Sequence, residues 1–417
     1  MKRPITILTL LSILVLLTGV ACDTGTDRKG AVNETKTLAF TDSSRGLPSS
    51  GQWRHTLAYY DLNGDGHMDI LAPPARKAGP GNGVPFAWYG NGKGDWTESR
   101  LDVPADTPYD YGAIGAADFD GDGISDIALA MHGLGLKVLK GVGNEKYVDF
   151  SKGIPPKKEF ASRALALADF NNDGKPDIAA VSESRFGRGY PLPSGVRVCF
   201  LVDREWKCRQ AGDRDTARNL FSDQLVVGDV NGDQNLDVAV ASVVQSKNLI
   251  VWVGDGKGGF VPFNNGLPQE MFWLSVAVGD MNGDGKDDLL ASIAGLGLKS
   301  FKGLRAFLSV PEGFREISEG LPGDDVFNSV ALCDLDGNGR VEMVGGTGTG
   351  GIKVFTLNGE QWREVNTSGL PGEGLQKIWG VACVDLNGDG WTDIAVNYGS
   401  EKLENGGIRV FLNRPPE

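Results

Sequence analysis

Histidine is scarce in this chain: three residues in 417, at His55, His67 and His132. So few imidazoles leave a serine triad or a histidine-built zinc site with almost no candidate bases. Neither GxSxG nor HExxH occurs, so two common hydrolase signatures are missing as well. Blocks of positive charge are also lacking. Lys and Arg number 41 against 54 Asp and Glu, a net charge of −13, which speaks against nucleic acid or an anionic bilayer as the main partner and points toward cations. Glycine is the opposite case, with 60 residues. That is about twice the usual share of roughly 7% and has no every-third-residue period, so many short strands joined by tight turns are expected and a helical protein is excluded.

The N-terminus reads as an export signal over residues 1–21. Lys2 and Arg3 precede an apolar core from Ile5 to Leu17, and small residues lead up to Ala21. The segment is too short and too N-terminal to count as structure. Cys22 follows in the string LTGVAC, which resembles a bacterial lipoprotein processing site, where that cysteine is lipidated and becomes the mature N-terminus. The expected location is the cell envelope, periplasmic or surface-facing, with cleavage after Ala21 and release as the alternative. Residues 22–35 carry the lipidated cysteine and a polar, flexible tether, and 414–417 form a short tail.

Four cysteines remain. In VRVCFLVDREWKC, pairing Phe200 with Lys207 and Leu201 with Trp206 makes Asp203 and Arg204 the turn and sets Cys199 opposite Cys208. Export makes a disulfide across that hairpin the expectation. Cys333 and Cys383 stand one and two residues before corresponding aspartates of consecutive repeats, so their side chains should point to opposite faces. They are expected to be buried and unpaired.

A nine-residue pattern recurs seven times. Its copies begin at Asp61, Asp118, Asp169, Asp229, Asp280, Asp334 and Asp385, spaced 57, 51, 60, 51, 54 and 51 residues apart. A period near 54 residues is too long for most solenoids and suits a four-stranded propeller blade. Each copy lies between an apolar run such as LALAD and a short strand such as DIALA; a third strand and an aromatic-led fourth, often ending in GLP, follow. After the seventh copy the chain gives DIAVN and GGIRVFLN but no fourth strand. Residues 40–48, FTDSSRGLP, supply the missing aromatic-to-GLP segment ahead of the first copy. The expected fold is all-β: a seven-bladed β-propeller over residues 36–413 with four-stranded blades, the N-terminal strand completing the last blade and removing free edges.

The aspartate loop between strands, the period and the Gly/aromatic framing resemble FG-GAP (VCBS-type) repeats, known from the propeller of integrin α subunits. The resemblance covers residues 36–413 and implies the propeller fold and calcium binding. It implies less about function, because propellers host binding modules, adhesion proteins and some polysaccharide lyases.

The loop chemistry is also readable from D-x-[DN]-x-D-G-x-x-D itself. Calcium takes six to eight hard oxygens at about 2.3 to 2.6 Å. Position 1 offers Asp61, Asp118, Asp169, Asp229, Asp280, Asp334 and Asp385; position 3 offers Asn63, Asp120, Asn171, Asn231, Asn282, Asp336 and Asn387. Position 5 adds Asp65, Asp122, Asp173, Asp233, Asp284, Asn338 and Asp389, and position 9 adds Asp69, Asp126, Asp177, Asp237, Asp288, Glu342 and Asp393. At position 7 the backbone carbonyls of His67, Ile124, Lys175, Asn235, Lys286, Arg340 and Trp391 complete the set. The spacing resembles the first half of an EF-hand loop without its helices. The second loop has four carboxylates and is expected to bind tightest. The fourth has Gln234 where the others have glycine, the sixth has Asn338 and Glu342, and these two are expected to be weakest. Up to seven structural Ca²⁺ would add +14 and offset the net −13. At millimolar calcium, sites of extracellular affinity would each contribute about 0.4 to 1.4 kcal/mol.

Strand connectivity puts the aspartate loops on one face and the inter-blade loops on the other. There an aromatic precedes most of the aspartates: Trp53, Tyr109, Tyr111, Phe160, Phe221, Phe272 with Trp273, Phe327 and Trp379. These rings could form a platform for sugars or protein, or pack between blades. Arg185, Arg188 and Tyr190, with Arg76 and Lys77, are the candidate polar recognition patch, with a solvated loop as the alternative. The reading is a calcium-binding envelope lipoprotein that recognises a protein or glycan ligand, touching membrane only through its lipid and binding no nucleic acid. The alternative is a calcium-dependent polysaccharide lyase or related enzyme, for which the residues offer little support.

Overall fold

The computed structural model describes residues 37–54, 56–76, 83–182, 195–212, 220, 222–243, 249–269, 271–294, 302–400, 402 and 405–414. The export segment, Cys22, the tether, Lys77, Arg185, Arg188, Tyr190, Phe221 and residues 415–417 lie outside the described residues. Seven antiparallel sheets follow one another along the chain, over residues 58–100, 112–149, 162–211, 224–262, 273–316, 327–364 and 377–414. The first six pair their four strands in sequence order, and the first strands of successive sheets pack side by side as the inner ring. This is a seven-bladed β-propeller.

The sequence of each strand matches its radius. First strands are rich in small residues, as in Gly112–Ala117 (GAIGAA) and Ser162–Ala168 (SRALALA), because the blades converge there. A side chain at Gly115 would lie 2.7 Å from the Leu167 side chain of the next blade. Second strands, such as Asp126–Met131 (DIALAM), are buried at every position. Both of their faces meet a neighbouring blade, which is why they read as continuous apolar runs rather than alternating ones. Fourth strands are largely open to solvent, as in Trp96–Arg100, where only Trp96 is buried.

Seven hydrophobic clusters lie between successive blades. One joins Ile70 and Trp88 of the first blade to Ala395, Ile408 and Val410 of the last, so the ring closes through packed side chains. The last sheet takes its outer strand from the N-terminus: Leu38–Asp42 pairs antiparallel with Gly406–Arg414, in the register Ala39 to Arg414 through Asp42 to Phe411. A two-residue strand, Thr367–Ser368, adds parallel to its outer side, making this sheet five-stranded.

The glycine of the GLP segments has a mechanical reason. Gly320 lies at φ 91°, and a Cβ there would come within 2.1 Å of the Trp362 carbonyl oxygen on the next blade's outer strand. Only glycine permits this approach. It is fastened by the Trp362 amide donating to the Glu319 carbonyl at 2.8 Å. The same clasp sets Gly266 on Phe314, Gly46 on Trp96 and Gly369 on Phe40. Phe40 therefore occupies the position that an outer-strand aromatic holds in the other blades.

Cys199 and Cys208 face each other across their hairpin and are disulfide-bonded. Cys333 and Cys383 are also disulfide-bonded, with Cα atoms 5.9 Å apart, which corrects the expectation that they are unpaired. The inference about opposite faces was sound, but its consequence was misjudged. Cys333 ends Phe327–Cys333 and Cys383 lies in Lys377–Val384, the first strands of adjacent blades. Adjacent blades stack with opposite faces toward each other, so side chains on opposite faces of their own sheets meet between them. Two disulfides fit an exported, extracellular or envelope protein.

Candidate metal centres

All seven aspartate loops fold in the same way, and their backbone amides do the folding. The position 1 carboxylate receives the amides of positions 5 and 6: Asp65 N and Gly66 N reach Asp61 at 3.1 and 2.9 Å, and the other six loops repeat both bonds. The position 5 side chain accepts the position 7 amide in every loop, as from His67 to Asp65 at 2.9 Å. Amides pointing inward on successive acidic side chains wrap the chain around a common centre. Such a turn needs left-handed backbone at positions 4 and 6. Gln234 takes this conformation at φ 67° and Asn172, at position 4 of the third loop, at φ 57°. Asparagine tolerates it better than most residues, whereas Gln234 carries the strain its sequence position implies.

Position 9 differs from the rest. Asp69, Asp126, Asp177, Asp237, Asp288, Glu342 and Asp393 are all buried. One oxygen of each accepts the amide of position 2, as from Leu62 to Asp69 at 2.9 Å. In five blades the other accepts an amide from the third strand: Gly90, Gly141, Gly254, Ser309 or Asn413. These third-strand donors escaped the sequence reading, although a glycine recurs at that point in FAWYG, LKVLKG and IVWVG. Burial pushes the acids up, to about 6 for Asp69, Asp126 and Asp393 and about 7 for Asp177, Asp237, Asp288 and Glu342, with the amide bonds pulling the other way. Each loop thus holds a buried acid beside several partly exposed ones, and among the described residues only at Asp126, through Lys140, does a cation act on that acid.

The donor set fits a hard cation. Carboxylate oxygens of Asp118, Asp120 and Asp126 lie within 4.8 Å of one another, as do those of Asp334, Asp336 and Glu342. In the other five loops an asparagine oxygen stands at position 3. One oxygen of Asp120 is buried with no hydrogen-bond partner, an orphan acceptor of the kind an ion would satisfy. These acidic groups could hold a metal ion.

The aromatic residues at the blade entrances are mostly core. Trp53, Tyr109, Tyr111, Phe160, Trp273 and Phe327 are buried, with Trp53 edge-on to Phe86 and Trp88. Their packing role prevails, and they present no open platform. Trp379 is half-buried, donates its indole N–H to the Gly399 carbonyl at 3.0 Å, and has the Arg54 guanidinium 3.8 Å above its ring. It borders a depression of about 840 Å³ at the centre of the face opposite the aspartate loops, also lined by Lys302, Asp325, Lys353 and Lys377. Arg76 pairs its backbone with Gln52 and its guanidinium lies 5.7 Å from the Tyr111 ring.

A family model described as FG-GAP-like repeat matches residues 118–180, 229–291 and 304–396, more than half of the chain. No curated protein matches it.

Proposed function

This chain belongs to the FG-GAP-like repeat family, and from that premise we propose that it is a calcium-binding propeller of the cell envelope, anchored through Cys22, that serves as a recognition module for a protein or glycan. One observation carries the calcium reading: seven loops, each with acceptors gathered by the same amide pattern, each contain a buried acid that wants a counter-charge. Asp and Asn side chains at positions 1, 3 and 5, with the position 9 acid, would hold the ion. Bound calcium would supply positive charge and fix each inner hairpin. A structural role follows because each loop joins two strands within one blade, so that an ion held there would fix their hairpin.

The opposite face supports the recognition role. Its central depression holds Trp379 and Arg54, residue types enriched at interfaces, among lysines and aspartates of the kind found in a polar rim. Calorimetric unfolding in millimolar calcium and in excess chelator, with metal stoichiometry on the same sample, tests the calcium reading. Five to seven bound ions and a large fall in melting temperature on chelation are expected; no bound calcium and an unchanged transition would refute it. For the anchor, Cys22→Ser should move the protein from the membrane to the soluble fraction, and unchanged membrane retention would refute lipidation.

A further inference from the structure

The second loop differs from the other six in two ways. It alone has carboxylates at positions 1, 3, 5 and 9, and among the described residues it alone has a cation reaching in from the third strand. The Lys140 ammonium bridges Asp120 and Asp122, contacting Asp122 at 2.5 Å. Strand register explains its reach. In the second blade Ile127 pairs with Leu139, so the next residue, Lys140, stands beside Asp126 at the mouth of the loop. The same register puts Tyr89, Phe200, Val253, Leu308, Thr356 and Leu412 there in the other blades, and none carries charge.

The extra acid and the lysine compensate each other. Four carboxylates and one ammonium leave the second loop at −3, the charge that three carboxylates give each of the others. The lysine also changes the geometry. In the other six loops the position 3 side chain accepts the position 5 amide, as Asn63 does from Asp65 at 2.9 Å. Asp120 instead gives one oxygen to Lys140 and leaves the other without a partner. Lys140 is further held by the Phe150 ring, 5.9 Å from the ammonium.

We infer that Lys140 is a resident cation of the second loop, competing there with the divalent ion and keeping this loop from being the tightest of the seven. The inference rests on the calcium reading above. A single positive charge about 4 Å from an incoming divalent ion, even at the screened dielectric of a surface site, weakens binding at least tenfold.

The test is a calcium titration by isothermal calorimetry, with thermal unfolding in chelator, on the wild-type protein, Lys140→Met and the double variant Asp120→Asn/Lys140→Met. Lys140→Met should gain one site at least tenfold tighter than any in the wild type, and should melt lower than wild type when chelated. The double variant restores the residue pattern of the ordinary loops, and its tightest site should return to the wild-type range. If Lys140→Met does not fold in chelator, Lys140→Gln repeats the comparison with the stem length kept. Several wild-type sites with an unchanged isotherm in the lysine variants would overturn the proposal and leave the calcium reading standing. Absence of binding in every protein would overturn both.

Discussion

Chelation should leave a protein whose stability falls as pH rises. The seven buried position 9 acids titrate in the fold near 6 or 7, against about 4 in an unfolded chain. Between those values the folded state binds more protons than the unfolded one. The stabilisation is therefore complete below about pH 4 and is lost as pH climbs toward 7. If folding raised each acid's affinity for its proton only tenfold, at roughly 1.4 kcal/mol apiece, the seven together would cost about 10 kcal/mol, comparable to the whole stability of a typical domain. The chelated protein cannot carry all seven charges at pH 7.5 without losing most of its stability. Calcium reverses the trend, because it binds the deprotonated acids: its stabilising effect should be small at pH 5 and large at pH 7.5. Scanning calorimetry at pH 5, 6 and 7.5, with and without calcium, reads both slopes. A chelated transition that is flat or rises across this range would refute the assignment of the position 9 acids as buried groups whose charge burial penalises.

Two further substitutions probe the backbone geometry. Gln234→Gly relieves a left-handed residue at φ 67° and should stabilise the protein by about 0.5 to 1 kcal/mol after the added freedom of the unfolded chain is counted; a lower denaturation midpoint in urea would contradict this. Gly320→Ala places a methyl within 2.1 Å of the Trp362 carbonyl oxygen and should cost about 2 kcal/mol or more. An unchanged urea midpoint would show that the clasp yields freely.

The propeller was legible because its signal is long-range and repeated: seven copies at a near-constant spacing outweigh the ambiguity of any one strand. Loop chemistry was legible for a related reason, since the acceptors and the amides that gather them lie within nine residues. The failures share the opposite property. Lys140 lies 18 residues beyond Asp122, and only the pairing of Ile127 with Leu139 brings it to the loop. Cys333 and Cys383 were placed on the correct faces, yet their meeting depends on how two sheets stack. The GLP glycine stood out as a recurrent string, but its function is a contact with a carbonyl of the following blade, which no local pattern displays.

The contacts that were hardest to read are also the ones that tie neighbouring blades together. The aspartate loops fasten the first two strands of each blade near the axis, mostly within their own repeat, with a few bonds to the next loop such as the Asp229 amide donating to Asp287 at 2.8 Å. The glycine clasps fasten outer strands at the rim and always act between repeats. A blade that lost its loop geometry would still be gripped by its neighbours through the clasp and the interblade cluster, whereas a broken clasp would leave its loop intact. Between the sixth and seventh blades a third link joins the inner strands, through Cys333 and Cys383. The seventh blade is the one that takes its outer strand, Leu38–Asp42, from the far end of the chain. Its sheet therefore depends on a pairing between residues more than 360 positions apart, which carries the largest loop-closure cost in the ring. A covalent link to the preceding blade, the fifth strand Thr367–Ser368 beside Leu38 and Ala39, and the clasp of Gly369 on Phe40 all converge there. The extra fastening is concentrated at the one blade whose strands are not consecutive in sequence.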